Sequence, residues 1–172
     1  MLNSKKAWAE NWPYALIFAL VLFALGLGLS NLFRSSALTS VDVSGAQINM
    51  NTVLSFQSKE IKFSELLNGD KNLIVFWATW CAPCVDEIRS MPKLLPEISA
   101  KGYDTVFINY DSEENVGSAL LFASEYKIES AVDDKGELLY SLGISSLPIS
   151  LVVDKSGKIL KTLQGEISLE DL

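Results

Sequence analysis

With 172 residues, about half of them apolar, the chain has room for one ordinary domain plus an appendage, and its composition excludes wholesale disorder. The net charge of −7 makes nucleic acid an unsuitable partner, since phosphate binding requires clustered Lys and Arg. There is no histidine, which removes the commonest general base and metal ligand, and the only two cysteines lie three positions apart, which excludes a structural disulfide framework.

Residues 1–12 carry Lys5, Lys6 and Glu10 and lead into an uncharged apolar run, residues 13–33. As a helix, ~20 residues span roughly 30 Å, the thickness of a bilayer's hydrocarbon core. Trp8, Trp12 and Tyr14 cluster at its start, as in an interfacial aromatic belt. The two lysines place residues 1–12 in the cytoplasm and the remainder outside. A cleaved signal peptide is the competing reading, but its apolar region is shorter, about 7–15 residues. Residues 34–50, rich in Ser, Ala, Thr, Asn and Gln, read as a tether, and a domain is expected over 51–172. Three basic and one acidic residue lie at or before Arg34, so 11 basic and 20 acidic side chains remain, and the part beyond Arg34 carries −9.

Val53–Phe56 and Glu60–Phe63 alternate as two short strands, with Ser64–Leu67 as a capped helical turn. Leu73–Trp77 is a continuous apolar run, expected of a strand buried on both faces. Val85 to about Ala100 has helical spacing, with Pro92 and Pro96 expected to kink or end it. Thr105–Tyr110 is the next strand, Val116–Tyr126 a helix, and Lys135–Leu142 a further helical turn or two. Ile149–Val153 and Lys158–Thr162 flank the turn Asp154–Gly157. The order strand, helix, strand, helix, closing hairpin describes an α/β fold, a mixed central sheet flanked by helices.

Trp80-Cys81-Ala82-Pro83-Cys84 falls between a buried strand and a helix. A helix N-terminus presents unpaired N–H groups and partial positive charge, which favour the Cys81 thiolate. Proline in the first turn needs no N–H partner. The two-residue spacing lets Cys84 attack a mixed disulfide formed at Cys81. A zinc site requires further Cys or His ligands, which the chain does not contain, so no metal site is expected. No cofactor is expected beyond the Cys81–Cys84 pair itself. Pro148 directly precedes a buried strand, where proline requires a special turn.

Phe76-Trp-Ala-Thr-Trp-Cys-Ala-Pro-Cys84, followed by Gly143-Ile-Ser-Ser-Leu-Pro-Ile-Ser-Leu-Val-Val-Asp154 and Lys-Ser-Gly157, resembles the thioredoxin superfamily. The match is to its membrane-anchored, extracytoplasmic TlpA/ResA-like, cytochrome-c-maturation-type branch, from about Val53 to Gly165. The resemblance implies a thioredoxin-like fold and a cis Leu147–Pro148 bond facing the cysteines. It implies that Leu147 and Pro148, with Trp80, Ala82 and Pro83, border a groove for substrate polypeptide. Glu87, three residues after Cys84, is implied as a proton-transfer residue, because Val75 stands where cytoplasmic thioredoxins carry a buried aspartate. Arg89 replaces the proline usual two residues after that glutamate, and Ser168–Leu172 supplies only the first turn of the family's closing helix.

The resemblance further implies a protein-disulfide reductase in the bacterial cell membrane, its domain on the extracytoplasmic side. Its partners would be dithiol or disulfide proteins such as apocytochrome c, a membrane electron-transfer reductant and, through residues 13–33, the lipid bilayer. Ala-Pro between the cysteines resembles the Gly-Pro of reducing thioredoxins and points to a potential near −270 mV, roughly, and away from the oxidants near −120 mV. The alternatives are an oxidase or isomerase on the same fold, and a non-catalytic metal-delivery or binding domain.

Overall fold

The computed structural model describes residues 41–172, together with Leu20, Leu22 and Phe23, which are helical. The expected cytoplasmic segment 1–12, most of the expected anchor 13–33 and the first part of the tether lie outside the described residues. Among the described residues, no helix is long and apolar enough to cross a membrane.

A hairpin opens the domain, β1 (Val53–Phe56) with β2 (Lys59–Lys62), followed by a 3-10 turn over Phe63–Leu66. The core strand β3 (Lys71–Trp77) leads into α1 (Ala82–Ala100), β4 (Asp104–Asn109), α2 (Val116–Glu125) and β5 (Ser130–Val132). A short α3 (Glu137–Ser141) precedes the closing hairpin β6 (Ile149–Asp154) and β7 (Ile159–Gln164), and a 3-10 turn spans Leu169–Asp171. The seven strands form one mixed sheet in the order β2-β1-β5-β4-β3-β6-β7. β4 runs parallel to β3 and to β5, while β6 is antiparallel to β3 and to β7. This is the expected mixed α/β architecture.

The central position of β3 explains its composition. With partners on both edges and a layer on both faces, it buries every residue from Asn72 to Trp77. Leu73, Val75 and Trp77 face α1 and α2, in a core shared with Ile88, Met91, Ile98, Ala119, Ala123, Val152 and Leu163. Ile74 and Phe76 face the other way, toward Phe63, Leu138, Ile144 and Ile48. Stripping such side chains from water, at about 25 cal/mol per Å² of apolar area, is the principal stabilisation of the sheet.

Three features differ from the sequence reading. Helix α1 starts at Ala82, three residues earlier, and runs unbroken through Pro92 and Pro96. Both prolines are exposed and four residues apart, so their rings stand on the solvent side of the helix, clear of the core that its other face packs against. Strand β5 was not anticipated; it is three residues long and exists through its pairing with β4 and β1. Residues 41–50, expected in the tether, belong to the folded domain. Ile48 is buried, its N–H donates to the Gly157 carbonyl at 2.9 Å, and Gln47 bridges to Lys158.

Candidate redox site

The C-terminal end of β3 sets the site. Ala78, Thr79 and Trp80 leave the sheet there, and Cys81 takes an extended conformation (φ −96°, ψ 97°) as the N-cap of α1. Its Sγ accepts a hydrogen bond from the Cys84 N–H at 3.3 Å. Pro83 sits in the first turn, where it sacrifices no hydrogen bond. Cys81 and Cys84 are joined in a disulfide, their Cα atoms 5.2 Å apart. Cys81 retains 6% exposure and Cys84 none, so an incoming sulfur reaches Cys81 first. Trp80, 62% exposed, and the exposed Ala82 and Pro83 surround it.

Leu147–Pro148 is a cis peptide. β6 begins immediately after it, with Ile149 opposite Phe76, so Pro148 lies at the same sheet end as Trp77 and the cysteines. The Pro148 carbonyl accepts from the Gly165 N–H at 3.0 Å, tying this turn to the end of β7.

Glu87 lies one helical turn beyond Cys84 and is 3% exposed. Oε1 accepts the Ile167 N–H at 2.8 Å; Oε2 has no partner among the described residues. Burial pushes its pKa up to about 7, the Ile167 N–H opposes this, and the nearby Glu166 charge adds to the rise. A carboxyl that titrates there accepts and returns a proton under neutral conditions. Asp86, by contrast, pairs with Arg89 at 2.8 Å on the exposed side of the helix.

One constellation escaped the sequence reading. Asp111, 1% exposed just beyond β4, accepts the Thr79 N–H at 2.8 Å, the Thr79 hydroxyl at 2.7 Å and the Asn109 amide at 2.8 Å. It thereby fastens the loop that delivers Cys81. The available signal was Asn109-Tyr-Asp111 at the carboxyl end of a buried strand beside β3, where α/β sheets build their sites.

A cysteine pair capping a helix, a cis-proline turn at the same sheet end and a buried carboxyl one turn away define a thiol–disulfide oxidoreductase on a thioredoxin-like fold. Comparison with known proteins makes this specific: residues 44–171 match the Redoxin family, to which the chain belongs. It is 30% identical over 122 residues to the thiol-disulfide oxidoreductase ResA of Bacillus thuringiensis strain Al Hakam, covering 70% of this chain and 69% of that one. Over 159 residues it is 26% identical to ResA of Geobacillus thermodenitrificans, covering 91% and 88%. Among solved structures, a protein described as thiol:disulfide interchange protein DsbE from Chlorobium tepidum superposes with a TM-score of 0.57 at 26% identity, covering 74% of this chain and 92% of that one. StoA from Bacillus subtilis superposes with a TM-score of 0.55 at 23% identity, covering 69% and 90%, and shares the fold. The chain is thus a thiol–disulfide oxidoreductase of the ResA/StoA type with a Cys-X-X-Cys pair.

Proposed function

We propose that this oxidoreductase works as a membrane-tethered disulfide reductase of exported proteins, its domain on the extracytoplasmic side of a bacterial cell membrane. The observation that supports the reading is the burial around the pair: Cys81 keeps some exposure, Cys84 has none, and Glu87, one helical turn after Cys84, is buried. On this reading Cys81 is the nucleophile that substrate meets and Glu87 the proton acceptor on the buried side.

In the reduced protein, the Cys81 thiolate attacks a substrate disulfide. A Cys81–substrate bond forms, and the first substrate sulfur leaves as a thiolate that takes a proton from solvent. Cys84 then passes its proton to Glu87, and the resulting thiolate attacks the Cys81 sulfur. The Cys81–Cys84 bond closes, the second substrate sulfur departs as a thiolate and is protonated, and the substrate has gained two electrons. Trp80, Ala82, Pro83, Leu147 and Pro148 border the groove in which extended substrate docks, the Leu147 backbone supplying strand-like hydrogen bonds. The pair is itself the redox group, with no further cofactor.

Two electrons must return for the next cycle. An electron carrier in the same membrane suits a domain tethered by the uncharged run 13–33, with residues 1–12 in the cytoplasm. Apocytochrome c, whose haem-attachment cysteines must be reduced, is the substrate class favoured by the resemblance to cytochrome-c-maturation thioredoxins. The test is the reduction potential of the Cys81–Cys84 pair, equilibrated in defined thiol–disulfide buffers. A value near −270 mV, roughly that of thioredoxin, supports the reductase; one above about −180 mV, the isomerase range, overturns it in favour of an oxidase or isomerase.

A further inference from the structure

Two buried side-chain oxygens lack a hydrogen-bond partner among the described residues, Glu87 Oε2 and Ser150 Oγ. Native interiors rarely leave such atoms unsatisfied; where protein groups do not reach, an ordered water bridges them.

The register puts Ser150 on the face of the sheet that α1 covers, the helix that carries Glu87. Ser150, fully buried, is the second residue of β6 and stands between Val75 of β3 and Leu163 of β7. Side chains alternate along a strand, so Ser150 shares its face with Val152, and that face packs against Cys84, Ile88 and Met91 of α1. Glu87 is on the buried side of α1 and reaches Ile167, which lies just past β7 in the same core. The helix face from Cys84 to Glu87 therefore covers the row Val75–Ser150–Leu163. Val75, Leu163 and Val152 offer no polar group, which leaves the serine hydroxyl as the sheet's polar contribution beneath the cysteine pair.

We propose that Ser150 and Glu87 hold a buried water beneath Cys84, and that Ser150 is a positioning residue for proton transfer from Cys84 to Glu87. This rests on Glu87 acting as proton acceptor in the resolving step. When Cys84 attacks the mixed disulfide, its S–H bond breaks, the proton passes through the water to Oε2, and the Cys84 sulfur bonds to Cys81 as the substrate sulfur leaves. A hydroxyl both donates and accepts, so Ser150 stays bonded to the water before and after Glu87 takes the proton. Oε1 is committed to Ile167, which directs the reaction to Oε2. The charged group acting on Glu87 is Glu166, from the segment after β7. On α1 itself Asp86 and Arg89 pair with each other at the surface, and on β7 the exposed Lys161 is held by the Asp171 carbonyl. On the face that α1 covers, Leu73 and Val75 of β3 and Ser150 and Val152 of β6 carry no charge; Lys71 and Asp154, which share that face, stand opposite each other at the far end of the two strands from the cysteines.

The test follows the resolving step in the full chain. Reduced protein is mixed with dithiobis(nitrobenzoate), Cys81 attacks its disulfide and one thionitrobenzoate leaves, and the coloured release of the second, as Cys84 closes the ring, is timed from pH 5.5 to 8.5. The wild-type rate should rise through a midpoint near that of Glu87. Ser150→Ala should move the midpoint up by about one pH unit and slow release about fivefold at pH 7, because the Glu87 anion loses a partner. Ser150→Thr, which keeps the hydroxyl, should restore the wild-type curve, and Ser150→Ala should add nothing in a Glu87→Gln background. If Ser150→Ala keeps the wild-type midpoint, or slows release equally at every pH, while Glu87→Gln abolishes the inflection, the role of Ser150 is refuted and that of Glu87 survives. If Glu87→Gln itself keeps the inflection, the proton-acceptor reading fails and this proposal fails with it.

Discussion

Replacing Glu87 by glutamine should make the protein more stable in neutral and alkaline solution, and the pH dependence of the gain is its signature. The carboxyl is held at about 7 in the fold against an ordinary value of 4.5. A raised carboxyl pKa means that the folded protein retains a proton the unfolded chain releases. Its contribution is therefore favourable below pH 4.5 and is lost as pH rises through about 7. The difference of about 2.5 units corresponds to roughly 3 kcal/mol at 1.36 kcal/mol per unit. Glutamine keeps an oxygen for the Ile167 N–H and never ionises. Urea unfolding of the oxidised full chain should thus give similar stabilities for Glu87→Gln and wild type at pH 4. The variant should lead by about 2–3 kcal/mol at pH 8, with the divergence between pH 4.5 and 7. A pH-independent difference, or a variant that loses ground as pH rises, would refute the argument that burial of an ionisable Glu87 sets the site's chemistry.

Other outcomes follow from the same geometry. Cys84→Ser should leave Cys81 able to attack but unable to be released, so intact-mass measurement should find a stable substrate adduct that wild type does not accumulate. Asp111→Ala removes the acceptor of three hydrogen bonds and should cost about 2–3 kcal/mol in denaturant unfolding, whereas Thr79→Val, which keeps the backbone donor, should cost about 1 kcal/mol. Ile48→Ala should destabilise the domain by about 2–4 kcal/mol if residues 41–50 are part of the core, and by nearly nothing if they are only a tether.

What could be read from the sequence was local. Leu73–Trp77 announced a strand buried on both faces, and Cys81-Ala82-Pro83-Cys84 announced a helix start with its chemistry attached. Residues whose roles depend on distant partners stayed silent. Ser130–Val132 is too short for any period to show, and it becomes a strand because two others flank it. Ile48 sits between Gln47 and Asn49 in a mostly polar stretch; its partner, Gly157, lies more than a hundred residues away. Asp111 looks like any acidic residue in a loop until parallel pairing of β3 and β4 brings it to Thr79. The prolines show the opposite case, because the local rule that proline ends a helix yields where both rings face solvent.

The site contains two buried carboxyls, and what surrounds each separates their roles. Asp111 accepts from three donors, so its oxygens are committed to holding the Thr79 loop, and little capacity remains for chemistry. Glu87, one helical turn after Cys84, accepts from one, the Ile167 N–H, and its second oxygen has no partner among the described residues. Burial without donors raises a carboxyl's proton affinity, and donors oppose that rise. A carboxyl on β3 at position 75 would sit in the middle of the sheet, away from the segment after β7. Carried on α1, it reaches that segment and gains a single anchor, enough to fix its direction and too little to quench its basicity. With Glu87 as the proposed proton acceptor, the closing residues 165–168 would belong to the redox site, since they supply both that anchor and, through Glu166, the charge that lifts the carboxyl further.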